Sequence, residues 1–76
     1  LPCLPIDPAN QIKSAFNELP VLKGKTEDGT ITIYSTNTGS SFSVVFKPDA
    51  QPLWCAVIIG KDIKPAVKDK VKGEQS

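Results

Sequence analysis

Glu27-Asp28-Gly29-Thr30-Ile31-Thr32-Ile33-Tyr34-Ser35 is the stretch on which the fold turns. Glu27-Asp28-Gly29 has the composition of a tight hairpin turn, with Gly29 free to adopt positive φ. The six residues that follow alternate and are rich in β-branched side chains. A strand results, with Ile31 and Ile33 on one face and Thr30, Thr32 and Tyr34 on the other. A hairpin needs a partner before the turn, and Val21 to Thr26 supplies it, interrupted by Gly24. After Tyr34, the run Thr36 to Ser41 holds Asn37, Gly39 and two serines and predicts a second turn. Phe42-Ser43-Val44-Val45-Phe46 is then a third strand, with Phe42, Val44 and Phe46 on a common face. Lys47 to Pro52 carries two prolines, which predict a loop. Leu53 to Ile59 is the last strand. Alternation puts Leu53, Cys55, Val57 and Ile59 on one side and Trp54, Ala56 and Ile58 on the other. Both sides are apolar, as expected of a strand that is central or covered on each face.

Working back from the hairpin, Asp7-Pro8 is a helix start: Asp caps, and Pro suits the first helical position. Ala9, Ile12, Ala15, Phe16 and Leu19 make one apolar stripe, and Pro20 ends it, which predicts a helix over Pro8 to Glu18. The expected fold is α+β: one N-terminal helix packed on a four-stranded antiparallel meander, its stripe laid over the face that carries Cys55. Residues 1–60 are read as a single domain. Residues 61–76, with five lysines and three acids, are read as a flexible C-terminal tail.

Of the 76 residues, 39% are apolar and 22% charged, proportions of a folded chain. A domain this small hides only about 60% of its unfolded surface and commonly needs a staple. The two cysteines, Cys3 and Cys55, lie far apart and form no CxxC pair. With no histidine in the chain, a zinc site would need two carboxylates beside them. A disulfide in an exported, periplasmic or secreted protein is the first reading; two buried thiols in a cytosolic domain is the second. The chain does not begin with Met, which we read as signal-peptide removal or trimming at the N-terminus. No apolar run approaches the ~20 residues of a membrane-spanning helix, so stable membrane insertion is not expected.

The late strand, Leu53-Trp54-Cys55-Ala56-Val57-Ile58-Ile59-Gly60, also carries a resemblance. From Phe16 to Gly60 the chain resembles a group of small exported bacterial proteins of unknown function. In these a short helix precedes strands, a turn rich in Gly, Asn and Thr, and a late strand with one cysteine followed by small and branched residues and a glycine. The resemblance implies export and a disulfide, and implies no activity.

Composition also narrows function. A net charge of +1, with every positive charge a lysine, does not point to nucleic acid, whose specific readers depend on arginine. The absence of histidine removes the usual general base and any Ser–His or Cys–His pair. Glu27 and Asp28 sit at a turn tip, and the Gly-containing turns match no phosphate loop. No catalytic residue, cofactor or metal is therefore expected. Trp54, Tyr34 and Ile58 are the candidate interaction surface, aromatics being enriched at binding hot spots. A second small core is the plainer use of Trp54 and Tyr34. The expected role is a protein-binding module acting outside the cytoplasm. The alternatives are an inhibitor of a secreted protease or glycosidase, presenting Thr36 to Ser41 or Lys47 to Pro52, and a structural subunit that forms a homo-oligomer.

Overall fold

The computed structural model describes residues 3–66. The elements run β1 (Cys3–Leu4), α1 (Ala9–Phe16), β2 (Leu19–Lys25), β3 (Gly29–Ser35), β4 (Ser41–Pro48) and β5 (Trp54–Lys61). The mixed α+β class and the antiparallel meander from β2 to β5 are as expected. The sheet has five strands, in the order β1-β5-β4-β3-β2, where four were predicted. The additional strand is β1, whose Cys3 and Leu4 pair antiparallel with Cys55 and Trp54.

Helix α1 starts at Ala9, one residue later than predicted, with Pro8 as the cap residue and Asp7 just before it. The Asp7 carboxylate accepts a hydrogen bond from the Ala9 amide at 3.0 Å, satisfying one of the donors a helix leaves free at its N-terminus. The helix ends at Phe16, two residues earlier than predicted. Asn17 takes the left-handed conformation at φ 59° and its amide closes on the Lys13 carbonyl, a helix stop that Asn tolerates well. Two residues on, β2 begins, and it includes Pro20. A proline is tolerated there because β2 is an edge strand and one side of its backbone needs no partner.

The β2–β3 turn is built from a threonine side chain. Thr26 Oγ1 accepts from the amides of Asp28 (3.2 Å) and Gly29 (3.0 Å) and donates to the Gly29 carbonyl (3.2 Å). Gly29 does not use positive φ, contrary to expectation; its hydrogen side chain is needed because β4 passes too close for a Cβ, with the Lys47 carbonyl and the Pro48 Cα in the way. Gly39 is the glycine that does need its freedom, at φ 76° in the β3–β4 turn. That turn is braced from outside, since Ile63 donates to the Gly39 carbonyl at 2.8 Å and Asp62 to the Ser40 carbonyl at 3.2 Å.

Strand β2 runs from Leu19 to Lys25 rather than from Val21 to Thr26, and two later boundaries also correct the sequence reading. Strand β4 continues to Pro48, which pairs with Gly29, so the predicted Lys47–Pro52 loop loses its first two residues to the sheet. Lys61, assigned to the tail, is the last residue of β5 and pairs with Ser41. Residues 62–66 of the predicted tail are described and carry no strand or helix, and the part from residue 67 lies outside the described residues.

The register fixes which side chains share a face. Val44 pairs with Ile58 and Val45 with Ala56, so Val57 is an extra residue in β5, a bulge that reverses the alternation beyond it. Trp54 and Ala56 therefore lie with Val45 on one face, whereas Ile58 lies with Val44 on the other. The buried cluster is Ile12 from α1 with Tyr34 and Val45, flanked by Ala9 and Trp54. The helix thus covers the Tyr34–Val45–Trp54 face. The expectation that it covers the Cys55 face is reversed, because Cys55 pairs with Phe46, one residue out of phase with Val45.

Candidate interaction surfaces

The two cysteines form a disulfide, joining directly opposed residues of β1 and β5 whose Cα atoms are 4.0 Å apart. The bond ties a two-residue strand to the sheet, on the face away from the helix.

That face is the first candidate surface. Register places Ile31 and Ile33 of β3, Phe42, Val44 and Phe46 of β4, and Ile58 of β5 on it, with Leu22 of β2 opposite Ile33. These side chains are apolar; Ser35, opposite Phe42, shares the face and is only 7% exposed. Leu22 is 63% exposed and Ile58 55%, and the β3 and β4 members are only partly covered. Among the described residues, no helix or strand packs over it. The Cys3–Cys55 bond lies at one edge of it, and Ile63–Pro65 reach its rim, where they form an open groove with Val21, Leu22 and the β3–β4 turn. Four strands ~4.8 Å apart and about seven residues long give this face a projected area on the order of 500 Å².

The second surface lies on the helix side. Because α1 is only eight residues long, it covers part of its face and leaves a cleft of 320 Å³ beside it. Asp7, Ala9 and Pro20 form one end, Thr30, Thr32, Lys23 and Lys47 the other, and Tyr34, Val45 and Trp54 the floor. The Lys47 ammonium sits 5.4 Å from the centroid of the Trp54 ring. Lys25, the next lysine along β2, is held instead by an exposed ion pair with Asp49 at 3.0 Å.

The structure brings two of the three predicted surface residues together and separates the third. Tyr34 and Trp54 meet in the core and cleft under the helix; Ile58 is on the opposite face, moved there by the bulge at Val57. Tyr34 is 5% exposed. Burial raises its phenol above the ordinary value of 10.0, and the nearby Asp7 carboxylate raises it further. A raised acid stays protonated in the folded state after the unfolded chain has begun to lose its proton. The stabilisation from Tyr34 is therefore complete below about pH 10 and is lost as pH rises through the folded value. Tyr34 is the only tyrosine. Ultraviolet titration of its phenolate is expected to give a midpoint above that of the urea-unfolded chain, and Tyr34→Phe should flatten this part of the alkaline stability curve. Equal midpoints in the two states would contradict the burial described.

One buried group was missed entirely at the sequence level. Glu18, between α1 and β2, is 1% exposed. Its carboxylate accepts hydrogen bonds from Ser41 Oγ at 2.6 Å and Ser43 Oγ at 2.9 Å. The signal available was the Ser-x-Ser alternation of β4, which places two hydroxyls on the helix-side face. Among the described residues there is no group of His, Cys, Asp and Glu that could hold a metal ion, and no helix long and apolar enough to cross a membrane.

No protein-family model, curated protein or solved structure matches this chain.

Proposed function

We propose that this chain is an exported, non-catalytic protein that binds another protein through the sheet face that α1 leaves bare. The observation that carries the reading is the inversion of the two faces. The helix lies over the side with Thr30, Thr32, Ser41, Ser43 and Lys47, whereas the side with Ile31, Ile33, Phe42, Val44 and Phe46 faces outward. Contiguous apolar patches beyond a few hundred Å² on a soluble protein mark interaction sites. The partner that fits presents an uncharged, apolar surface of its own, because no charged side chain lies among the seven residues named above. Residues 67–76 suit the face poorly as a cover: Val67 and Val71 are their only large apolar side chains, among five charged ones. The Cys3–Cys55 bond supports an oxidising compartment. The lack of histidine supports the absence of catalysis.

The test compares the whole chain with a Leu22→Glu/Ile58→Glu variant. Both residues are exposed, so the thermal midpoint should change little, within about 0.5 kcal/mol of stability. Cross-linking in the native envelope, followed by mass spectrometry of the linked peptides, should place the wild-type bare face against one protein. Two unpaired carboxylates in a desolvated interface should weaken that contact by at least about 2 kcal/mol. Equal cross-linking of the variant would overturn the reading. Cross-links to a second copy, with a dimer in sedimentation, would make the partner the chain itself. Protection of a secreted protease or glycosidase by both forms alike would move the functional surface to the loops.

A further inference from the structure

The helix-side cleft lies on the other side of the sheet from the proposed partner surface and stands or falls separately. We propose that it binds a small aromatic carboxylate carrying a hydroxyl group at the far end of its ring. Three features of the cleft point to such a ligand.

The first is charge. Lys47 pairs in register with Thr30 and Lys23 with Thr32, so both lysines line the same end. Neither has a carboxylate partner among the described residues, where the ion pair goes to Lys25. Two uncompensated ammonium groups at one end of a cleft favour a single anionic group, and a carboxylate is the simplest that both can hydrogen-bond.

The second is the buried phenol. Tyr34 lies on the floor toward the Asp7 and Pro20 end, and its hydroxyl makes no hydrogen bond among the described residues. Buried polar groups are nearly always paired, so an orphaned hydroxyl facing a cleft marks a place for an incoming polar atom. A ligand hydroxyl can accept from Tyr34 and donate to Asp7, whose carboxylate repels a second anion. The two ends therefore select different groups.

The third is the distance and surface between them. Thr32 and Tyr34 are two residues apart on one strand, roughly 7 Å, which is about the span of a para-disubstituted benzene ring. The floor along that span includes Trp54 and Val45, apolar and aromatic, and an aromatic ring stacks or packs there favourably. The volume of 320 Å³ is at the lower end for a small-molecule site and suits one ring.

The experiment is an amide and indole NMR titration of the oxidised chain with 4-hydroxybenzoate, 4-hydroxybenzamide and benzoate. Saturable shifts at the Trp54 indole N–H and at Thr30, Thr32 and Tyr34 are expected with 4-hydroxybenzoate, at a dissociation constant on the order of 1 mM. The uncharged amide should bind at least about tenfold more weakly, and so should 4-hydroxybenzoate to a Lys23→Gln/Lys47→Gln variant, which removes the charge-assisted contacts. Tyr34→Phe should reduce 4-hydroxybenzoate to the affinity of benzoate. These substitutions are close in shape to the native residues, and an unchanged amide spectrum in the free variants verifies the fold. Absence of saturable shifts with the wild-type chain would overturn the proposal. So would equal binding of the acid and the amide, or undiminished binding by the double lysine variant.

Discussion

Reduction of the Cys3–Cys55 bond is expected to lower the thermal midpoint by roughly 15–30 °C. The bond joins residues 52 apart in sequence. In the chain-entropy model, closing a loop of that length restricts the unfolded ensemble by about 4 kcal/mol. Domains of this size have total stabilities near the lower end of about 5–15 kcal/mol, so the bond represents most of the margin. The folded state offers little to replace it. The helix-side cluster has three buried members, Ile12, Tyr34 and Val45, and β1 consists of only two residues. Circular dichroism melts with and without a reductant, and of a Cys3→Ala/Cys55→Ala variant, measure the effect. Intact mass after alkylation without reduction checks the starting state and should show no added group. A midpoint that moves by only a few degrees would mean that the sheet is stable without its staple.

Replacement of Glu18 by Ala is the second large effect, about 2–4 kcal/mol of destabilisation. The carboxylate is the sole described hydrogen-bond partner of the Ser43 hydroxyl, and Ser43 is itself only 3% exposed. Its loss strands two hydroxyls and leaves a cavity where α1 turns into β2. Glu18→Gln retains the shape, and either serine hydroxyl can rotate to accept from the amide, so the expected cost is about 1 kcal/mol. The triple change Glu18→Leu/Ser41→Ala/Ser43→Ala removes donors and acceptor together. It should be distinctly less harmful than Glu18→Ala, since exchanging both partners for apolar groups leaves nothing unsatisfied. Urea unfolding of the four proteins decides the matter. Equal stability of Glu18→Ala and the wild type would show that water replaces the carboxylate without cost.

Much of the architecture was readable from short-range chemistry. Asp7-Pro8 marks the helix start, the Thr-Ile alternation marks β3, and the glycine- and serine-rich turn after it leads into β4. The pairing of Cys3 with Cys55 followed from two cysteines and no other ligand. Strand β1 was not readable, because two residues carry no periodicity and its pairing is set by a distant strand. The face that α1 covers was not readable either. Alternation says which side chains share a face, but both faces of this sheet hold apolar residues, and the more uniformly apolar one is outside. The bulge at Val57 defeated the grouping of Trp54 with Ile58, since nothing in a continuous run of apolar residues indicates where an extra residue enters. Glu18 looked like the polar end of a helix; only the fold brings Ser41 and Ser43, more than twenty residues later, to its carboxylate.

The pairing of β1 with β5 also sets an order of events for a chain that emerges from its N-terminus. Strands β2 to β5 meet neighbours close in sequence, so the meander can assemble progressively as residues appear. Cys3 emerges ahead of β2 to β5, yet the strand that aligns its sulfur is the last of the sheet. Throughout most of emergence it is an unprotected thiol, open to mixed disulfides with whatever oxidant or neighbouring chain it meets. Correct bonding then depends on β5 docking in register before Cys3 is captured elsewhere, and the finished sheet acts as the template for its own cross-link.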